Sequence, residues 1–176
     1  MKNISLILML LISIISQAQN TEQLKKLLKL ERIAAQKRID FKRNPNTTNY
    51  DIKYHRLEWT VDPGSSPAAI SGAVTTFWEA TETMNTITFD LADNLNVIQV
   101  VQRGSSLAYT HAGNEVVITL PSSQNTGVLD SLTITYNGNP TSGGFGIFEQ
   151  STHDGIPNLW TLSEPYGAME WWPCKQ

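Results

Sequence analysis

The sequence has few of the side chains that commonly carry metal or redox chemistry. Its 176 residues contain one cysteine, Cys174, and three histidines, His55, His111 and His153. A single thiol excludes a disulfide within the chain, so stability must come from packing. No two histidines are four residues apart, and neither an H-E-x-x-H nor a Cys-x-x-Cys string occurs. We therefore expect no zinc site, no bound cofactor and no catalytic residue in this chain.

Long apolar runs are also missing, except at the N-terminus. Residues 4–15 are apolar apart from two serines, one lysine precedes them, and Ser16-Gln17-Ala18 follows. This pattern predicts a secretory signal peptide over residues 1–18, cleaved after Ala18, and export to the periplasm, the cell surface or the extracellular medium. The alternative is a membrane anchor. The run is shorter than the about 20 apolar residues of a span, so we expect no stable membrane span.

Charge is scarce and unevenly distributed. Residues 21–43 hold eight Lys/Arg and three Asp/Glu, a balance of +5, whereas residues 44–176 hold four and thirteen, a balance of −9. An acidic surface repels the phosphate backbone, so we predict no nucleic-acid partner for the larger part of the chain.

Residues 19–45 are predicted to form a short amphipathic helical arm. Apolar side chains recur there at three- and four-residue steps: Leu24, Leu27, Leu28, Ala35 and Ile39. Thr21 can cap the helix, and Asn44-Pro45 ends it, because the residue before proline disfavours the helical region. We expect the arm to lie on the protein or to tether it. Binding to a membrane surface is the alternative, and the modest apolar face disfavours it.

From residue 49 onward the apolar side chains recur every second residue, as in β-strands. In "TITFDLAD", Ile87, Phe89 and Leu91 alternate with polar residues, and "DSLTITYNG" repeats the pattern with Leu132, Ile134 and Tyr136. Seven or more short strands follow one another at roughly ten-residue spacing, separated by turn clusters rich in Asn, Asp and Gly. The pattern predicts an all-β fold, an antiparallel β-sandwich or saddle, over residues 46–176.

The last part of the chain has a different composition. After Gly138 glycine and proline become frequent, as in loops, although a strand at Leu159 to Leu162 is possible from the pattern. The final stretch "SEPYGAMEWWPCKQ" concentrates three aromatic rings, a carboxylate and the cysteine. These side chains need a surface to pack against.

These segments together resemble a known family. Four strings carry the resemblance: "YDIKYHRLEWTVDP", "ISGAVTTFWEATETMNTITFDLADNLNVIQV", "LTITYNGNP" and "NLWTLSEPYGAMEWWPCKQ". They are similar to the N-terminal β-saddle domain of the aminopeptidase N family, the gluzincin zinc metallopeptidases. The likeness covers about residues 49–176 and is greatest to secreted forms from Bacteroidetes-type bacteria. Its most specific part is Glu164, nine residues before Pro173-Cys174, where the family has Gln or Glu at the same distance from a Pro-Cys pair.

The resemblance implies a function that is divided between domains. It implies that Zn²⁺, its ligands and the catalytic tyrosine belong to a thermolysin-like domain that would follow, so this chain should be inactive alone. It also implies that Glu164 binds the α-amine of a peptide substrate. Trp160, Trp171 and Trp172 would then be exposed for contact with the catalytic domain.

Two further hypotheses stay open at this point. The chain could be a stand-alone secreted β-sandwich module that binds a glycan or a protein, since aromatic residues lie near its predicted loops and no catalytic set is present. It could also be a structural or adhesion domain. The preferred hypothesis is the N-terminal domain of an exported zinc aminopeptidase that removes N-terminal residues from peptides.

Overall fold

The computed structural model describes residues 21–22, 24–36, 38–141, 146–163 and 166–176. The chain divides into two compact units, Met1–Asp40 and Phe41–Gln176. The predicted signal peptide, residues 1–18, lies outside the described residues.

In the first unit, the described residues between 21 and 40 are helical, as the spacing of the apolar side chains predicts. Two polar contacts join successive turns. Lys25 Nζ lies 2.8 Å from Glu22 Oε1, and Gln36 Nε2 donates to Asp40 Oδ2 at 2.9 Å. Exposed pairs of this kind stabilise a helix by about 0.2–0.5 kcal/mol each. Among the described residues, no helix is long and apolar enough to cross a membrane.

The second unit is built from β-strands. Its described residues form β1 (Tyr50–Asp62), β2 (Ala69–Ala80), β3 (Met84–Asp90), β4 (Leu95–Gln102), β5 (Ser105–Ser106), β6 (Tyr109–Ala112), β7 (Glu115–Gln124), β8 (Leu129–Gly138), β9 (Glu149–His153) and β10 (Ile156–Trp160). Two short 3₁₀ turns, Pro45–Thr47 and Ala168–Glu170, flank the strands.

All the strand pairs are antiparallel. One sheet has five strands in the order β1-β2-β8-β4-β5, a second has three in the order β3-β7-β6, and β9 and β10 form a hairpin. The hairpin turn at Asp154-Gly155 has positive φ at both positions (50° and 78°), as two-residue hairpin loops of type I′ require. The strand predicted at Leu159 to Leu162 is only partly correct, because β10 begins at Ile156 and ends at Trp160.

The two larger sheets enclose one hydrophobic core. Strand β2 shows the alternation most clearly, because Ile70, Val74 and Trp78 are buried while their neighbours are less so. Each fully buried aliphatic side chain contributes about 1.5–3 kcal/mol of transfer free energy. Hydrogen bonds also join the sheets: the Tyr50 hydroxyl donates to the Thr88 carbonyl at 2.7 Å, and the Tyr109 hydroxyl donates to the Val97 carbonyl at 2.9 Å. The predicted antiparallel β-sandwich is confirmed.

A bulge in β1 changes which side chains face the core side. Ile52 pairs with Trp78 and Tyr54 with Phe77, so Lys53 is an extra residue. A bulge of one residue reverses the alternation of every position after it. From His55 onward the odd-numbered residues therefore share the face of the core, and Leu57, Trp59 and Val61 are about 40% exposed on it (38%, 38% and 41%).

Candidate functional site

The candidate site is the segment around Glu164, from Ser163 to Gly167. Glu164 itself lies outside the described residues, as does Pro165, but the residues on either side are described. Ser163 and Tyr166 both have left-handed backbones, with φ of 55° and 57°. For non-glycine residues such conformations cost of order 1–3 kcal/mol and persist only where the surroundings fix them. The Gly167 N–H donates to the Ser163 carbonyl at 3.1 Å and holds the two ends together.

Packing on both sides explains how these backbones are fixed. The Trp171 indole Nε1 donates to Ser163 Oγ at 2.7 Å. On the other side the Tyr166 ring stacks on Phe41, with centroids 3.6 Å apart and planes within 6°. Gly167 approaches Ile147 so closely that a Cβ atom would lie 2.7 Å from Ile147 Cγ1. The ends of the segment are therefore attached to the β unit by an indole, a ring stack and a close glycine contact.

Trp171 is not an exposed contact residue, which corrects the prediction made for it. Its side chain is 8% exposed, and its ring lies 4.6 Å from the Trp59 ring and 6.0 Å from the Phe148 ring, centroid to centroid. The buried Tyr136 hydroxyl donates to the Trp171 carbonyl at 2.8 Å. The surface that this indole needed is supplied by its own domain.

Trp172 is half-buried at the edge of the same cluster. Its ring meets His55 edge-on, with centroids 5.2 Å apart, and lies 6.3 Å from Trp59. Burial lowers the pKa of His55, whose Nδ1 lies 3.0 Å from Thr76 Oγ1. A neutral imidazole therefore forms part of an apolar contact surface here.

The C-terminal segment is tied to β3. Asp90 and Cys174 exchange two backbone hydrogen bonds, of 2.8 Å and 3.0 Å, as an isolated antiparallel bridge. The buried Asp90 carboxylate accepts hydrogen bonds from Asn44 Nδ2 at 2.7 Å and from the Gln176 N–H at 3.0 Å. The role of Asp90 in holding the C-terminal segment was not predicted from the sequence, although an acidic residue at the end of an apolar strand pattern could have indicated it.

Cys174 should resist thiol reagents in the native chain. The residue is 3% exposed, and burial raises the pKa of its thiol well above the usual value. A reagent therefore has little access to the sulfur, and little of the thiol is present as the reactive thiolate. We expect labelling by a soluble disulfide reagent only after unfolding. Ser105→Cys, at an exposed position of β5 in a Cys174→Ser background, is the control and should label at once. Rapid native labelling of Cys174 would show that the segment does not stay docked.

The described residues hold no group of three or more His, Cys, Asp or Glu side chains that could bind a metal ion. The histidines lie in separate surroundings. His55 contacts Thr76, His111 Nε2 lies 3.0 Å from the Leu91 carbonyl, and His153 lies 3.7 Å from Asp154 in the β9–β10 hairpin. The donors present in this part of the chain do not fit a zinc centre.

Exposed apolar residues occur at one predicted position and in one row that was not predicted. Trp160, at the end of β10, is 44% exposed, in keeping with its predicted role at a contact surface. The exposure of Leu57, Trp59 and Val61 was not predicted. The sequence shows the alternation of side chains but not the register of the strands, and in the described residues that register leaves this part of β1 without a covering strand. We call Leu57, Trp59 and Val61 the apolar rim.

Comparison with known proteins identifies structural relatives. No family model matches the chain, and no curated protein matches it. It is similar to the crystal structure of an M1 zinc metallopeptidase from Deinococcus radiodurans, with a TM-score of 0.64 and 26% identity over 74% of this chain and 30% of the other.

Two ligand-bound structures give similar values. A two-domain M1 zinc metallopeptidase mutant bound to L-arginine has a TM-score of 0.63 and 27% identity, again over 74% of this chain and 30% of the other. A Deinococcus radiodurans mutant bound to a Tyr-Ser-Ala substrate has a TM-score of 0.60 and 25% identity over 73% and 29%. The chain thus spans about 30% of the length of these enzymes. The predicted resemblance to the N-terminal domain of the aminopeptidase N family is confirmed.

Proposed function

We propose that this chain is the N-terminal β domain of an exported M1-type zinc aminopeptidase that removes N-terminal residues from peptides. The structural match supports the proposal, because it extends over about three quarters of this chain but less than a third of enzymes that bind amino acids or a tripeptide. Catalysis would then belong to a thermolysin-like domain of the parent protein, which would supply the zinc and its ligands.

The proposed role of Glu164 follows from the chemistry of this segment. A free α-ammonium group is best held by a carboxylate through a charge-assisted hydrogen bond. The ends of the segment are fixed by Trp171 and by the stack of Tyr166 on Phe41. A carboxylate presented from fixed ends loses less conformational freedom on binding than one in a mobile loop. This supports Glu164 as a substrate-binding residue that binds the N-terminus of the substrate at a fixed distance from the zinc, so that the scissile bond next to the N-terminus is correctly placed.

The apolar rim is the surface we propose for the neighbouring catalytic domain. Its residues are 38–41% exposed, and the Trp59 ring contacts the buried Trp171 ring, with centroids 4.6 Å apart. Clusters of exposed aromatic and branched side chains in a monomeric domain mark interaction sites. In this proposal Trp171 and Trp172 pack against Trp59 of the rim and do not themselves contact the catalytic domain.

Glu164→Ala in the full-length parent should reduce kcat/KM for an aminoacyl amide. Loss of one partner of a desolvated charged pair costs about 1–3 kcal/mol, roughly 5- to 150-fold in rate. Glu164→Gln should recover only part of the loss, because it keeps the size but not the charge. Steady-state kinetics on free and N-acetylated substrates measure the effect, which should be confined to the free amine.

Glu82→Ala, in the exposed turn between β2 and β3, is the matched control and should leave kcat/KM unchanged. Unaltered kinetics for Glu164→Ala would remove the assignment of that residue but not the proposed function. The function itself would fail if the parent gene encoded no H-E-x-x-H domain. In that case glycan binding by the chain would favour the stand-alone module.

A further inference from the structure

The helix over residues 21–40 has an apolar side that the described residues leave exposed. With 3.6 residues per turn, Leu24, Leu27 and Leu28 share one side, and they are 54%, 42% and 55% exposed. Leu30 and Ala34 extend this side and are half-buried. The side is modest in width, which disfavoured a membrane partner in the sequence alone. The exposure of its three leucines shows, however, that the described residues do not cover it, and an apolar side of a helix normally packs against an apolar partner.

The opposite side of the same helix is basic. Lys25, Lys29 and Arg32 follow one another at steps of four and three residues, which places them together and away from the leucines. The segment 21–43 carries a balance of +5, while the rest of the chain to residue 176 carries −9. The helix therefore combines an apolar side with the positive charge that the rest of the chain lacks.

The sequence disfavours a second copy of the helix as the partner. A coiled-coil seam through Leu24 and Leu28 meets Glu31 at its third position. The other seam, through Leu27, Leu30 and Ala34, is flanked by Gln23 and Lys37, so neither register has more than three successive apolar positions. A dry helix–helix core does not tolerate an unpaired carboxylate, whereas the edge of a headgroup layer remains hydrated. Glu31 also limits deep burial to the leucines that precede it.

We propose that this helix binds the surface of an anionic lipid membrane. The leucines of residues 24–30 enter the boundary between headgroups and acyl chains, and the lysine and arginine side chains contact lipid phosphates. The helix lies in the plane of the surface. The proposal concerns residues 21–40 alone and does not rest on the proposed peptidase function.

Vesicle co-sedimentation of the full 176-residue chain tests the proposal. All variants share the same first 20 residues, so differences in affinity between variants on the same vesicles report residues 21–40. We expect binding to phosphatidylglycerol-containing vesicles to exceed binding to pure phosphatidylcholine vesicles by at least ~tenfold, and to weaken with salt. The triple variant Leu24→Ser, Leu27→Ser and Leu28→Ser should lower the affinity by at least ~tenfold.

Charge variants give expected changes in both directions. Lys25→Gln with Lys29→Gln should lower the affinity by roughly tenfold, and Glu31→Gln should raise it. Leu129→Ser and Arg56→Gln, exposed positions of β8 and β1, are the matched controls and should change nothing. The proposal is overturned if the leucine variants bind as well as the unaltered chain, if neutral vesicles bind equally, or if the variants abolish a dimer in sedimentation without affecting lipid binding.

Discussion

Trp171→Ala should lower the free energy of unfolding of the chain by about 3–5 kcal/mol, the range for truncation of a fully packed tryptophan. The indole is 8% exposed, contacts the Trp59 and Phe148 rings, and donates its N–H to Ser163 at 2.7 Å. Its removal leaves a cavity and an unpaired hydroxyl. Urea unfolding of the chain, followed by circular dichroism, measures the change.

Trp160→Ala is the matched control, since it removes the same side chain from a position that is 44% exposed. We expect it to cost less than about 1 kcal/mol. If Trp171→Ala were equally mild, the indole would not be packed in the isolated chain, and the earlier hypothesis of a ring held out for another domain would regain support.

Gly72→Val should lower the free energy of unfolding by about 3 kcal/mol, near the upper end of the usual cost of overpacking. Gly72 in β2 pairs with Trp59 on one side and with Tyr136 on the other. A Cβ atom there would lie 2.6 Å from Trp59 Cδ1 and 2.9 Å from Tyr136 Cε1. Tyr136 is fully buried and cannot move aside, because its hydroxyl is bonded to the Trp171 carbonyl.

Ala73→Val on the other face of the same strand is the control, and should cost little because valine suits an open strand position. The double variant Gly72→Ala with Trp59→Ala should lose less stability than the sum of the two single variants, since removal of the indole relieves one of the two clashes. A tolerated valine at position 72, with unchanged thermal and urea unfolding, would contradict the close approach of the two rings.

The fold was largely predictable from the sequence, and the candidate site only in part. Alternation over "TITFDLAD" predicted a strand with Ile87 and Phe89 inside, and both side chains are fully buried. The exposure predicted for Trp171 and Trp172 was wrong, because a run of aromatic residues does not show whether the chain itself provides the surface that covers them. The partners that bury Trp171 are Trp59, Tyr136 and Phe148, which are distant along the chain.

The strand content, the antiparallel sandwich and the contrast between a basic helix and an acidic β unit were all predictable from the sequence alone. Each of these depends on neighbouring residues, whose period and charge are visible in a single stretch. Three features are visible only in the tertiary structure. They are the shift of β1 at Lys53, the exposure of Leu57, Trp59 and Val61, and the docking of the segment from Trp171 to Gln176. These features depend on register and on contacts between distant strands, and local periodicity contains no information about either.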